Sequence, residues 1–94
     1  MSDPYQSLSK LIDFPKVVDF RIIVLADVVN SMGIIKETIE SIETDGMQEV
    51  KTPGRVSKNG NYVSYIVPIK VSNGDNLKKL YEKIGSLNCV KMIL

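Results

Sequence analysis

The sequence contains no histidine and no tryptophan, and Cys89 is its single cysteine. Imidazole acid–base catalysis and histidine metal sites are therefore excluded. One thiol also cannot complete an internal disulfide or a cysteine-rich zinc site. We interpret Cys89 as a buried or half-buried structural residue, with a redox thiol as the alternative.

The sequence also lacks a large excess of charge of either sign and has no long apolar run. Twelve basic and eleven acidic residues leave a net charge of +1, so no strong field attracts nucleic acid or an anionic membrane. No apolar run approaches the roughly 20 residues of a membrane span. The N-terminal stretch lacks the basic and apolar regions of a signal peptide. Together with the absence of disulfides, these features predict a cytoplasmic protein that does not associate with membranes.

Glycine is sparse, and its positions exclude a further class of site. The six glycines are scattered singly, so no phosphate-binding loop is present. Most carboxylates fall on predicted helix surfaces, and no pattern indicates an apolar pocket that would raise the pKa of a catalytic acid. We therefore expect a protein that is not an enzyme and has no metal site and no cofactor.

The clearest structural pattern lies between Lys58 and Ser72. Asn59-Gly60-Asn61 supplies residues that tolerate a tight hairpin turn. From Tyr62 onward, apolar side chains alternate with a mixed row, which predicts a strand with one covered face and one wetter face. The apolar row comprises Val63, Tyr65, Val67, Ile69 and Val71. Pro68 conflicts with a central strand because proline cannot donate to the ladder.

Similar patterns place the other elements around this strand. Residues 1–13 are predicted to be an N-terminal tail, with a short helix suggested by the spacing of its apolar residues, and 14–94 a single domain. The predicted elements are a strand over 16–26, a helix that ends near 44–46, a weak edge strand over 47–56, a helix between 75 and 85, and a strand over 89–94. Ser72 and Asp75 have the spacing of a capping box at the second helix, and Gly85 suits the position just after its end.

The order β-α-β-β-α-β predicts an α+β protein with a ferredoxin-like fold. In this arrangement a four-stranded antiparallel sheet carries two helices on one face. The first and third strands should lie in the middle of the sheet and the second and fourth at its edges.

The face of the sheet opposite the helices is the candidate binding surface. We predict that Asp19, Arg21, Tyr62, Ser64 and Lys91 lie on it and contact a partner or ligand. The alternative is a solvated face on which Asp19 pairs with Arg21 or with a charge on a neighbouring strand, as is common in antiparallel sheets.

RNA-recognition domains share this element order, so RNA binding is a second alternative. Those domains carry aromatic residues on their first and third strands. Lys58, Gly60, Tyr62 and Tyr65 are superficially similar, but Tyr65 falls on the apolar row. The first strand carries Asp19 and Arg21 where an aromatic residue would be needed.

The last strand is apolar and lies at a predicted edge. An apolar edge strand can pair with a second chain, so we expect that a homodimer forms through residues 90–94.

Three stretches of the chain resemble the YbeD-like family of bacterial proteins of unknown function, to which lipoate regulation has been attributed. They are L-I-D-F-P at 11–15, S-K-N-G-N-Y-V-S at 57–64 and L-Y-E-K-I-G-S-L-N-C-V-K-M-I-L at 80–94. The resemblance implies a ferredoxin-like fold similar to ACT-type allosteric domains, with no catalytic residues to transfer. ACT-type amino-acid sites use a glycine in the loop after the first strand, for which Gly33 is the one candidate.

Two functional hypotheses follow. The first is a non-catalytic, ACT-like regulatory or interaction module that binds a protein partner or a small metabolite. The second is an RNA-binding module that uses the open face of the sheet.

Overall fold

The computed structural model describes residues 13–94, which form one sheet and two helices in the order β-α-β-β-α-β. The elements are β1 (Lys16–Leu25), α1 (Ser31–Ile42), β2 (Arg55–Val56), β3 (Tyr62–Val71), α2 (Gly74–Gly85) and β4 (Val90–Ile93). The element order predicted from the sequence is confirmed. Residues 1–12 of the predicted tail lie outside the described residues, so the division into tail and domain stays a prediction.

The sheet has the strand order β2-β3-β1-β4, and all three strand pairs are antiparallel. β1 and β3 pair along their whole length, from Lys16 opposite Val71 to Leu25 opposite Tyr62. The predicted placement of these two strands in the centre is therefore confirmed, together with the ferredoxin-like fold.

Both helices pack on one face of the sheet and form the core with it. Alternate residues of β1 and β3 point to this face because side chains alternate along a strand. The fully buried side chains on these four elements include Phe20, Ile22, Ile35, Ile39, Val67, Ile69, Val71, Leu80 and Ile84. Each such burial contributes about 1.5–3 kcal/mol. The ring of Phe20 lies 4.9 Å from that of Tyr81 on α2, so the second helix is fixed over the centre of β1.

The second strand is much shorter than the sequence predicts. Only Arg55–Val56 form a strand, and the rest of the predicted 47–56 strand contributes a single bridge from Met47 to Ile69. Pro68 explains the gap. Its carbonyl accepts a hydrogen bond from the Gln48 N–H at 2.8 Å, but it has no N–H to donate back, and the edge chain leaves the ladder until Arg55. Pro68 is therefore accommodated in a long central strand because its neighbour is interrupted there.

The predicted capping box at α2 is wrong. The side chain of Asn73 accepts a hydrogen bond from the Asn76 N–H at 2.8 Å and is the N-cap. Ser72 instead directs its hydroxyl to Glu43, and Gly85 is the last residue of the helix rather than the residue after it. An asparagine is as good an N-cap as a serine, so the choice depends on what else Ser72 contacts.

Candidate binding face of the sheet

The sheet face opposite the helices is not covered by any other element of residues 13–94. It is formed by the alternate residues of β1 and β3 that do not enter the core, and the register places them in pairs. These pairs are Val17 with Lys70, Asp19 with Pro68, Arg21 with Ile66, Ile23 with Ser64 and Leu25 with Tyr62. The face is therefore a mixture of apolar and charged side chains.

A groove runs along this open face beside β3. It consists of three connected hollows of about 490, 240 and 280 Å³. The first and second share Arg55 and Ser64, and the second and third share Thr52 and Ile66. The groove extends over β3 from Tyr62 to Pro68, which corresponds to about 20 Å at roughly 3.3 Å per residue. We call it the open-face groove.

Four of the five predicted binding residues line the open-face groove. Tyr62 and Ser64 lie in the first hollow, Arg21 joins Ser64 in the second, and Asp19 lies in the third. Lys91 is exposed on β4, where the pairing with β1 shifts between Ile23 and Val24, and it lines none of the three hollows. The structure thus brings four of these residues together and leaves Lys91 apart. Their role in binding stays a prediction.

The other wall of the groove comes from residues 49–58, most of which fall in the weak edge strand that the sequence predicts over 47–56. Thr52 and Pro53 line the second hollow. Arg55 and Val56 continue the wall into the first hollow, which Ser57 and Lys58 complete. The signal for this wall is in the sequence, because Pro53-Gly54 interrupts an edge strand and turns the chain across the sheet margin. Gly54 lies so close to Tyr65 that an added Cβ would be 2.6 Å from its ring.

The charges along the groove are unevenly distributed. Arg21, Arg55 and Lys58 lie toward the hairpin that joins β2 to β3. Asp19, Glu49 and Lys51 line the opposite end. One end of the groove is therefore positive, and the other carries a small negative excess.

The alternative of a simple cross-strand charge pair receives no support from the register. Asp19 faces Pro68 and Arg21 faces Ile66, so the direct partners on β3 are uncharged. Within residues 13–94 neither Asp19 nor Arg21 forms an ion pair.

A buried carboxylate lies outside the groove, at the junction of the two helices. Glu43 follows α1 and is 8% exposed. One of its oxygens accepts a hydrogen bond from the Ser72 hydroxyl at 2.7 Å. The other accepts from the Ser72 N–H at 2.7 Å and the Asn76 side-chain amide at 2.9 Å.

The hydrogen bonds decide the protonation state of Glu43. Burial raises the pKa of its carboxyl. The bonds from Ser72 and Asn76 and the charge of Lys70 lower it further than burial raises it, so the pKa lies below the ordinary value. With both oxygens occupied and the proton lost, Glu43 is suited to tie the end of α1 to the start of α2 rather than to transfer protons.

One feature of the sequence agrees with the burial of Glu43. Ile35, Ile39 and Glu43 recur at i, i+4 and i+8, so Glu43 continues the buried face of α1 by one turn. Its negative charge, however, is typical of a residue that faces solvent.

Cys89 and Gly33, the other two candidate residues, have structural positions. Cys89 is buried, as the structural interpretation predicted, and its carbonyl accepts a hydrogen bond from the Leu25 N–H at 2.9 Å. Gly33 is the third residue of α1 and packs against the side chain of Asn30. It therefore does not form the glycine loop that an ACT-type amino-acid site uses.

Metal ligands do not cluster in the part of the chain that the structure describes, since no three acidic, cysteine or histidine side chains come together there. In the same range, neither helix combines the length and the hydropathy that crossing a bilayer requires.

Known proteins match nearly the whole chain. The family described as "Protein of unknown function (DUF493)" matches residues 9–94. A UPF0250 protein of Yersinia pestis (strain Pestoides F) is 26% identical over 87 residues, which cover 93% of this chain and 95% of the relative. A UPF0250 protein of Yersinia pseudotuberculosis serotype O:1b has the same identity and coverage.

Two solved structures share the fold. Both are solution structures of HP0495 from Helicobacter pylori. The first has a TM-score of 0.65 at 24% identity and covers 88% of this chain and 85% of its own. The second has a TM-score of 0.57 at 26% identity and covers 86% and 87%, respectively. The likeness concerns the fold.

Proposed function

The chain belongs to the DUF493 family, the YbeD-like proteins of unknown function, and on that premise we propose that it is a non-catalytic interaction module that binds a partner protein through its open-face groove. The observation that carries this proposal is the groove itself, which combines an apolar floor, hydroxyl groups and charges on a face that no other described element covers. Interaction surfaces commonly combine apolar contacts with a few charged groups that fix register.

Exposed apolar side chains beside the groove support a protein partner. Ile66 on its floor is 40% exposed, and Val56 on its wall is 61% exposed. Met92 on the neighbouring β4 is 49% exposed. Burial of these side chains would contribute about 25 cal/mol per Å² of apolar surface removed from water. A protein segment supplies such cover more readily than a small polar metabolite does.

The dimensions of the groove also favour a segment of chain over a compact ligand. Small-molecule sites enclose most of the ligand surface in one cavity. Here three hollows follow one another over about 20 Å of a strand, which matches an extended segment of about six residues.

RNA binding is the second candidate, and the placement of aromatic residues weakens it. Tyr62 lies on the open face, but Tyr65 belongs to the face that the helices cover. On β1 the open face presents Asp19 and Arg21, so a second stacking surface is missing from the two central strands.

A photo-crosslinking residue at the groove floor tests the proposal. With benzoylphenylalanine at position 64, irradiation in lysate of the native host should produce discrete protein adducts that mass spectrometry identifies. The same residue at position 79, on the exposed side of α2, is the matched control and should give none of them. Equal adducts from both positions, or none from position 64, would contradict the open-face interface.

Titration with single-stranded RNA at two salt concentrations tests the second candidate. Because phosphate contacts release counterions, RNA binding should weaken steeply as salt rises. If no salt-dependent binding is measured, the RNA-binding function is excluded.

A further inference from the structure

Two arginines approach the open-face groove from opposite sides of β3. Arg21 lies on β1 opposite Ile66, and Arg55 lies on β2 opposite Ser64. β1 and β2 flank β3 and are separated by two strand spacings, roughly 10 Å. Both side chains line the same 240 Å³ hollow, which lies over Ser64 and Ile66 of β3.

Within the described chain these cations have no internal partner. The hollow is lined by the two arginines together with Thr52, Pro53, Ser64 and Ile66. No carboxylate is among these residues, and neither arginine forms an ion pair within residues 13–94. The nearest acidic residues of the groove, Asp19 and Glu49, line the next hollow.

We infer that this hollow binds an acidic side chain of an extended partner segment, held between Arg21 and Arg55 above Ser64. The inference rests on the proposed function and specifies the chemistry of the partner. A guanidinium offers two parallel donors that match a carboxylate, so two guanidiniums can grip both of its oxygens. The hydroxyls of Ser64 and Thr52 add donors at the floor and wall.

The apolar surfaces on either side select a peptide over other anions. Ile23 and Val56 line the first hollow, while Ile66 and Pro68 line the third. An anion carried on a strand-like peptide places apolar neighbours over these surfaces, because residues two apart lie on the same side of an extended chain. A free phosphate or an RNA backbone leaves them exposed to water.

The charge distribution also orients the segment. The acidic residue lies toward the hairpin end, where Lys58 adds a third positive charge. At the other end, Asp19 and Glu49 favour a neutral or basic residue of the segment.

Selection from a displayed library of random seven-residue peptides tests the inference on the full chain. The wild-type protein should enrich peptides with aspartate or glutamate between apolar residues. Arg21→Glu/Arg55→Glu should instead enrich lysine and arginine at that position. For a selected acidic peptide labelled with fluorescein, Arg21→Ala should raise the Kd by about ten- to a hundredfold, as expected when a hydrogen-bonded charge loses its partner.

The control variants make the outcome specific. Lys36→Glu/Lys79→Glu introduces the same charge change on the helices, at two exposed positions, and should leave the selection unchanged. Ser64→Trp fills the groove floor and should abolish binding of every selected peptide. Thermal denaturation confirms that each variant is folded.

Two results separate the inference from the proposed function. If the selected peptides lose binding to Ser64→Trp but show no acidic preference, the groove binds peptides and the arginine site is refuted. If Ser64→Trp binds them as the wild type does, or no peptide is enriched, both statements fail. Competition by single-stranded RNA that weakens with salt would assign the two arginines to phosphate instead.

Discussion

Among single residues, Glu43 best illustrates how a buried charge can be stabilised by its surroundings. Its carboxylate accepts three hydrogen bonds from two residues located 29 and 33 positions away. An unsatisfied buried carboxylate would destabilise the fold, whereas this one links α1 to the beginning of α2. The charge of Glu43 predicts that it faces water, although its spacing from Ile35 and Ile39 continues the buried face of α1, so a prediction from charge misplaces the residue. The partner of Glu43 becomes visible only in the folded structure, where β3 ends at Val71 and so brings Ser72 next to the carboxylate.

The lowered pKa of Glu43 predicts a loss of stability in acid. Because the folded-state pKa lies below the ordinary 4.5, the ionised carboxylate stabilises the fold above about pH 4.5, and this contribution is lost as the pH falls through the folded-state value. Glu43→Gln should lower the free energy of unfolding by about 1–3 kcal/mol at pH 7. Urea denaturation at several pH values measures both effects.

The decisive measurement is how the difference in unfolding free energy between the wild type and Glu43→Gln changes with pH. The gap between wild type and Glu43→Gln should narrow as the pH falls below 4.5, since the wild-type carboxylate then becomes protonated. Glu37→Gln, at an exposed position of α1, serves as the control and should change stability little. A gap that stays constant down to pH 3 would show that ionisation of Glu43 does not contribute.

At the scale of elements, the periodic patterns predict β1, β3 and both helices well, because each of these elements buries one row of side chains. β2 and the helix ends are predicted poorly. The extent of β2 depends on Pro68 of β3, which has no N–H to donate to the neighbouring chain. The local sequence of residues 47–56 contains no sign of this missing donor. Likewise, Ser72 is unavailable as a cap because it bonds to Glu43.

The N-cap of α2 gives a prediction at this scale. Asn73→Ala removes the acceptor of the Asn76 N–H and should destabilise the fold by about 1 kcal/mol. Asn73→Asp keeps an acceptor at the same place and should retain most of the stability. Chemical denaturation of the three proteins is the measurement. Equal losses in both variants would mean that the side chain contributes through something other than capping.

For the whole molecule, the sequence predicts the topology and the existence of an open face, because element order and strand alternation determine both. It does not predict the groove. The groove arises where residues 49–54 leave the ladder before β2 rejoins it at Arg55, and its wall residues come from a stretch with no periodic pattern. Four predicted residues lie in it because the alternation along β1 and β3 places them on the face that the helices do not cover.

Self-association also belongs to this scale and stays a prediction. β4 is an edge strand, and Met92 and the adjacent Leu94 are about half exposed, at 49% and 56%. Light scattering at high micromolar concentration should detect a dimer if the edge pairs with a second chain. Met92→Glu should then dissociate it, whereas Ile34→Glu on α1 should not. A monomeric wild-type protein would exclude pairing through β4.

The interruption opposite Pro68 has a consequence for how such a protein can diversify. Residues 49–54 are anchored at one end by the Gln48 hydrogen bond to Pro68 and at the other by the pairing of Arg55 with Ser64. Between these anchors the chain can lengthen at low cost, since doubling a loop adds only about 0.6 kcal/mol of closure entropy. Insertions there reshape one wall above an unchanged floor, and so new binding preferences can evolve without altering the core that keeps the protein folded.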